Sequence, residues 1–396
     1  MKEFIQEICE AVGPRISGSP QEAQAARLIA ARLEVASDEV GIEEVPIHIG
    51  VAPALTTLLV GGVLVALVLY WFVPLLAVLL IPLVLLVLYL SRPRGKDVID
   101  FLFPKGMTQN VVAKLHPTGP AKRRVILSGH HDSNVRMPLL NPPWKRYAYT
   151  IQQVATVGTF WLLLLSVAKT VARFAGWPFL WVGAGRWAPG DWLILPAIVG
   201  AGAALLMRLL TVTNTPVLGA GDNLSAVAVV VQAMETLSAK RPKHTEVWGV
   251  SFGAEEVGAK GSRAFSQRYA SELEAAHVIN LETLSAGQLA IIEREVSVFS
   301  RHSAETVALL QRAGQRVGIT LPAVTIKTGD TDATSFSRRG LRAATLFGMD
   351  ETGLFGFWHT LEDNVENVSP QNLQRALDVC LAVVAELEDE AAASSK

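Results

Sequence analysis

Thr245-Glu246-Val247-Trp248-Gly249-Val250-Ser251 runs directly into Phe252-Gly253-Ala254-Glu255-Glu256-Val257-Gly258. The first seven residues are apolar and β-rich and predict a buried strand. The strand leads onto two adjacent carboxylates, Glu255 and Glu256. Burying such a pair is costly unless something cationic receives it. Gly253 and Gly258 bracket the pair and permit a tight turn. Adjacent residues on a turn can point different ways. One carboxylate can therefore bind a metal while its neighbour faces a water. A Lewis acid beside a general base is what a metallohydrolase needs. Taken alone, the pair also reads as a solvated strand end, because short motifs recur by chance. The surrounding chain decides between the two.

Working outward, apolar strand patterns alternate with helical ones. Upstream, Asn110–Leu115 and Arg124–Ser128 read as strands, the second running into Gly129-His130-His131-Asp132-Ser133. Leu218-Gly219-Ala220-Gly221-Asp222-Asn223 reads as a loop and Ser225–Leu237 as an apolar helix. Downstream, Ala276–Leu281 is a strand ending at Glu282, and Arg342–Phe347 is another. Trp358-His359-Thr360 sits in a loop. Ser369-Pro370 starts a last helix with Leu373, Leu377, Cys380, Leu381 and Val384 on one stripe. At the other end, Phe4, Ile5, Ile8, Ala11 and Val12 share one helical face, so the N-terminus does not read as a signal peptide. Gly13-Pro14 ends that helix. Ser19-Pro20 starts the next, serine as N-cap and proline at the first helical position. Val45–Ile49 reads as a strand. The alternation predicts an α/β fold with a mostly parallel central sheet flanked by helices. Several polar motifs fall just after strands, at the carboxyl edge where such sheets bind ligands.

Composition adds a second component. Half of the 396 residues are hydrophobic and only 18% are charged. Mean hydropathy is +0.34, too apolar for an ordinary soluble enzyme. From Ile49 to Ser91 there is no Asp, Glu, Lys or Arg. As one helix this run would extend about 60 Å, twice a hydrocarbon core of about 30 Å. It therefore reads as a hairpin of two spans, Leu55–Phe72 and Leu75–Leu90, turning near Pro74. Tyr147–Ala168 and Trp192–Met207 form a second pair. Phe174–Trp187 between them is aromatic and glycine-rich, as an interface loop would be. The net charge of −1 gives no reason to expect nucleic acid as a partner. The two cysteines, Cys9 and Cys380, argue against a disulfide framework and against thiolate zinc ligation.

Five residues in separate loops stand out as candidate metal ligands: His130, Asp222, Glu256, Glu282 and His359. Two histidines and three carboxylates suit zinc, and the same set can hold manganese or cobalt. If one carboxylate bridges, the five can serve two metals. Asp132, two residues after His130, can orient its imidazole. Each residue alone has an ordinary structural explanation; only the ensemble is specific.

Gly129–Ser133, Gly219–Asn223, Phe252–Gly258 with Gly261-Ser262, Asn280-Leu281-Glu282 and Trp358-His359-Thr360 occur in this order. Together they resemble family twenty-eight of the metallopeptidases, which contains di-zinc aminopeptidases and glutaminyl cyclases. Gly13–Ser19 also resembles that family's N-terminal segment. The resemblance implies two Zn2+, His130 and Glu282 on one ion, Glu256 and His359 on the other, and Asp222 bridging. It implies Glu255 as general base on a metal-bridging water and Asp132 as the partner of His130. His131 stands where the family often has an aromatic residue, and Glu282 where Asp is commoner. Asp332 lies in a segment that the family uses near its substrate pocket, and His131 is a second candidate for that pocket.

The expected organisation is a di-zinc peptidase domain built from residues 1–50, 92–146 and 209–396. Transmembrane hairpins at 51–91 and 147–208 interrupt it. His130 and Asp222 flank the second block and must reach one site, so each block crosses a membrane an even number of times or not at all. Arg92, Arg94, Lys96, Lys145, Arg146 and Arg208 flank the spans on the catalytic side, against Lys169, Arg173 and Arg186 opposite. That excess predicts a cytoplasmic catalytic domain. The expected function is a membrane-anchored aminopeptidase acting on peptides, with the lipid bilayer as its other partner. The alternatives are glutaminyl cyclase-type acyl transfer and a non-catalytic receptor or scaffold.

Overall fold

The structure, a computed structural model, describes residues 1–393. In chain order it opens with helices α1 (Lys2–Val12) and α2 (Pro20–Glu34) and strand β1 (Glu39–His48). Two apolar helices follow, α3 (Val51–Phe72) and α4 (Pro74–Ser91). Strands β2 (Lys105–Leu115) and β3 (Arg123–His130) precede a second apolar pair, α5 (Ala148–Ala175) and α6 (Leu195–Thr211). Then come α7 (Ser225–Ala239), β4 (Thr245–Phe252), α8 (Lys260–Arg268), α9 (Ala270–Leu273), β5 (His277–Glu282) and β6 (Gln288–Glu295). The chain ends through β7 (Ser300–Arg301), α10 (Ala304–Arg316), β8 (Ala323–Ile326), α11 (Ala333–Ser337), β9 (Arg342–Met349) and α12 (Pro370–Ala393). These elements fall into two units. One comprises Met1–Ile49, Lys105–Arg136 and Asn214–Lys396; the other comprises Gly50–Pro104 and Met137–Thr213.

The first unit is built on a sheet of order β1-β2-β4-β3-β5-β9-β6-β7, with β8 also pairing with β6. Its centre, β4-β3-β5-β9, is parallel. The flanks are mixed: β1, β2, β7 and the β6–β9 pair are antiparallel, so the sheet is less uniformly parallel than the alternation implies. Every residue of β4 is buried, and alternation sorts its side chains between two faces. Val247 joins the core made with α1, α2, α7, α10 and α12. Trp248, Val250 and Phe252 join the opposite core with Phe265 of α8 and Phe336 of α11. Each such buried side chain stabilises the fold by roughly 1.5–3 kcal/mol. Helix α2 starts as its sequence predicts: the Ser19 side chain accepts from Glu22 N at 3.1 Å, with Pro20 in the first position.

Register fixes where the ends of the strands fall. His130 pairs with Phe252, Ser128 with Asn280, and Glu282 with Phe347. The carboxyl ends of β3, β4 and β5 therefore lie side by side. The turn after β4 is tight because backbone approaches backbone there. A Cβ on Gly261 would lie 2.3 Å from Gly253 O and 2.4 Å from Asn110 Oδ1, so only glycine fits.

The second unit holds four helices long and apolar enough to cross a membrane: Val51–Phe72, Pro74–Ser91, Lys145–Ala175 and Pro189–Thr211. Helices α5 and α6 cross at two glycines. A Cβ on Gly158 would lie 2.4 Å from Gly200 Cα, the close backbone approach that small residues permit between apolar helices. Helix α5 continues past Ala168, where the uncharged run ends, because Lys169 is satisfied inside the unit. Its Nζ donates to Asp191 Oδ1 at 2.5 Å and lies 4.2 Å from the Tyr70 ring centre. Trp71 stacks on Trp187 at 5.1 Å. Phe174, Trp177, Phe179, Trp187 and Trp192 are exposed around the α5–α6 connection.

Candidate metal and catalytic site

The ends of β3, β4 and β5, with the loops 219–223 and 357–363, bring five candidate ligands together. His130 Nε2 lies 3.2 Å from Asp222 Oδ1 and 3.4 Å from Glu282 Oε1. His359 Nε2 lies 3.2 Å from Asp222 Oδ2 and 3.0 Å from Glu256 Oε2. Asp222 thus has one oxygen beside each histidine. One ligand atom each from His130, Asp222 and Glu256 lies within 4.8 Å of the other two. Glu255 stands 3.8 Å from His130 Nε2 and, at 11% exposed, is the most open side chain of the set.

Local structure aims each group. His130 is the last residue of β3, and its Nδ1 faces Asp132, 3.3 Å from Oδ1 and 3.1 Å from the backbone O. Asn223 donates to Leu281 O at 3.0 Å and accepts from Thr283 N at 3.0 Å, which ties the Asp222 loop to the end of β5 beside Glu282. The Asp222–Asn223 peptide bond is cis. His359 is held at φ +52°, a left-handed conformation that a residue with a Cβ adopts only under constraint. Asn134 Nδ2 donates to Glu256 Oε2 at 2.7 Å.

Of the two candidate pocket residues, Asp332 is fully buried at the start of α11, and neither carboxylate oxygen has a hydrogen-bond partner of normal geometry. Burial pushes its carboxyl up to about 7, against the pull of His130. His131 is also fully buried. Its Nδ1 contacts Ser251 Oγ of β4 at 2.9 Å, and burial lowers its imidazole to about 3.

The electrostatics describe a site with too many acids for its two imidazoles. Burial raises Glu255 well above the usual carboxylate range, and His130 only partly offsets this. Burial likewise pushes Glu282 up to about 7 and raises Glu256. The two histidines go the other way. Burial lowers them, but Glu282 and the bonds from Asp132 and Asp222 hold His130 well above the usual range. Glu256 and Asp222 push His359 up to about 10. Asp222 Oδ2 and Glu282 Oε2 are buried without a hydrogen-bond partner of normal geometry. Clustered carboxylates with orphaned oxygens and facing imidazoles are the donor chemistry of a zinc-type cation site. The residues fit such ions.

The structure also adds residues that the motifs leave out. Arg15 is fully buried. It donates to His131 O at 2.6 Å, Leu218 O at 2.8 Å and Gly219 O at 2.9 Å. It thereby joins the His130 and Asp222 loops. Ser17 Oγ donates to Asp132 Oδ2 at 2.7 Å. Asp363 accepts from Gly221 N at 2.5 Å and Asp222 N at 3.2 Å; burial and Asp222 push its carboxyl up to about 8. Glu22 reaches the turn before Glu255. Arg15 and Ser17 stand in the Gly13–Ser19 segment and Asp363 lies five residues after Trp358, so position hinted at them. Glu22 reads only as a first-turn acid favoured by the helix dipole.

Residues 208–384 match the family described as Peptidase family M28. Among curated proteins, aminopeptidase YwaD of Bacillus subtilis is 29% identical over 172 residues, 42% of this chain. The match spans only 37% of that relative's length. A zinc aminopeptidase structure from Bacillus subtilis superposes with a TM-score of 0.57 at 16% identity, covering 98% of this chain and 94% of its own. An Acidobacteriales bacterium glutaminyl cyclase gives 0.55 at 13% identity, covering 98% and 94%. A Zn-dependent exopeptidase from Parabacteroides distasonis gives 0.57 at 14% identity, covering 97% and 96%. At these identities the structural likeness speaks for the fold, a mixed α/β fold with its central sheet flanked by helices, shared by aminopeptidases and cyclases alike. Asp222, Glu255, Glu256, Glu282 and His359 lie inside the matched segment, while His130 and Asp132 precede it. The matched segment, residues 208–384, is therefore similar to peptidase family M28.

Proposed function

We propose that this protein is a membrane-anchored, zinc-dependent aminopeptidase. The observation that carries the reading is the convergence of five candidate ligand residues, four of them buried, with Glu255 beside them. His130 and Glu282 would hold one ion, Glu256 and His359 the other, and Asp222 would span both. Zinc held there would supply Lewis acidity toward the scissile carbonyl and the attacking water. Glu255 takes the proton of that water and delivers it to the leaving amine. Asp132 fixes the tautomer and direction of the His130 ring. Asn134 steadies Glu256. The similarity of 172 residues to the aminopeptidase YwaD supports an aminopeptidase.

Glutaminyl cyclase-type transfer is the second reading, supported by the shared fold of the Acidobacteriales enzyme. A receptor or scaffold on this fold has less support, since every ligand position is filled. Purified protein assayed for bound zinc, then with aminoacyl anilides and with N-terminal glutamine peptides, separates the three. Zinc near two equivalents with anilide hydrolysis and no cyclisation is expected. Cyclisation alone would favour the second reading, and absence of zinc the third.

The anchoring reading places α3 to α6 across a bilayer with the catalytic unit in the cytoplasm. Of the cations at the far ends of the helices, Lys169 is buried and paired with Asp191. Only Arg173 and Arg186 then remain there against Arg92, Arg94, Lys96, Lys145, Arg146 and Arg208, which favours the cytoplasmic orientation under the positive-inside rule. A reporter fused after Lys396 that functions only outside the cytoplasm should stay silent. A bright reporter would reverse the orientation.

A further inference from the structure

Three consecutive amides of the turn after β4 donate to buried carboxylates. Ala254 N donates to Glu22 Oε1 at 2.9 Å. Glu255 N and Glu256 N donate to Asp132 Oδ1 and Oδ2 at 3.1 and 3.2 Å. Successive turn amides of this kind can form a nest for anions, and here they are shared between two carboxylates. In this chain the nest is filled by the protein's own acids. Asp132 already has a role toward His130; Glu22 has none.

Glu22 is fully buried in the first turn of α2. Its Oε1 also accepts from Thr108 Oγ1 at 2.6 Å, and its Oε2 from Gly18 N at 2.6 Å. Two chain segments therefore fix this carboxylate before it meets the turn. What it grips is unusual. Ala254 has φ +52°, a left-handed conformation that is unfavourable for a residue with a Cβ. A strained residue keeps such a conformation only where its surroundings over-determine it. The next residue is Glu255, so the Ala254 backbone sets where the Glu255 carboxylate points.

We infer that Glu22 is a positioning residue that aims Glu255 by holding the Ala254 amide. This rests on the reading of Glu255 as the proton acceptor. Misplacing a reacting group by about 1 Å can cost 100-fold in rate. Glu22→Gln puts an NH2 where one acceptor oxygen was, so either Gly18 N or Ala254 N loses its partner. Thr108→Val keeps the β-branched shape and removes one bond that fixes Glu22.

The test measures kcat and KM per zinc-loaded molecule, zinc affinity by chelator competition, and thermal stability for both variants. We expect kcat to fall roughly 10- to 100-fold in Glu22→Gln and several-fold in Thr108→Val, with KM within about threefold of wild type. Zinc affinity should also stay within about threefold. A merely structural role would lower thermal stability and leave kcat per loaded molecule unchanged, which overturns the inference. A tenfold loss of zinc affinity overturns it too, by moving the effect to Glu256. If Glu22→Gln does not fold, the Thr108→Val measurement decides. Full turnover in Glu255→Gln defeats the underlying reading; normal turnover in both variants beside an inactive Glu255→Gln defeats only the positioning.

Discussion

Glu255→Gln should lose two to four orders of magnitude in turnover while its zinc content stays near wild type. Glutamine keeps the size and hydrogen-bonding capacity of glutamate and cannot accept a proton. General-base catalysis contributes roughly 10²- to 10⁴-fold, so its removal should cost about that much in kcat. The loss falls on the transition state, so KM should change little. Glu256→Ala should behave differently. Glu256 lies 3.0 Å from His359 Nε2 and accepts from Asn134, so under the proposed assignment its removal would take a ligand from one ion. Zinc occupancy should fall, and activity with it. The measurement is zinc quantification beside steady-state kinetics on both variants. Zinc loss in Glu255→Gln with retention in Glu256→Ala would reverse the two roles. Retention of zinc and activity in both would remove this turn from the active site.

That these neighbours point different ways was legible in a strand followed by a glycine-bracketed turn: Glu255 faces His130 and Glu256 faces His359. The same logic located His130 and Glu282, each the last residue of a buried parallel strand. Such an edge is where convergent polar residues are expected. Much of the sheet beyond β5 and β9 was not legible. Strand β7 has two residues and β8 has four, too short to show a period. Helix α10 starts after Ser303, whose side chain accepts from Thr306 N. Glu22 and Asp363 illustrate the deeper limit. Their partners are 232 and 142 residues away, and no local pattern encodes such a pairing. Lys169 misled in the opposite direction. A charge ends an apolar run on hydropathy alone, yet its partner Asp191 lies across the following connection and lets the helix continue.

Asp191→Leu should destabilise the four-helix unit more than Lys169→Met, and the double variant should recover most of the loss. Both side chains are fully buried, and their separation is 2.5 Å. Removing one partner of a buried pair leaves an uncompensated charge and costs roughly 3–5 kcal/mol, whereas replacing both with apolar groups is often neutral. The two single variants are not equivalent. Without Lys169, Asp191 still accepts from Tyr70 Oη at 2.8 Å and Ala188 N at 2.7 Å. Without Asp191, the ammonium keeps only the faces of Tyr70 and Trp71, at 4.2 and 4.5 Å. Cation–π attraction of about 0.5–2 kcal/mol offsets only part of the desolvation of a buried charge. Lys169 is also six residues from the end of α5, about 9 Å along the helix, close enough for partial rescue by snorkelling toward water. That places its stranding toward the lower end of the range, and the two hydrogen bonds left to Asp191 place Lys169→Met below it. Denaturant titration of the purified protein in mixed micelles, run as a double-mutant cycle, reads the coupling directly. Additive single effects, or an Asp191→Leu variant within about 1 kcal/mol of wild type, would mean that the pair is not what closes the α5–α6 connection onto α3.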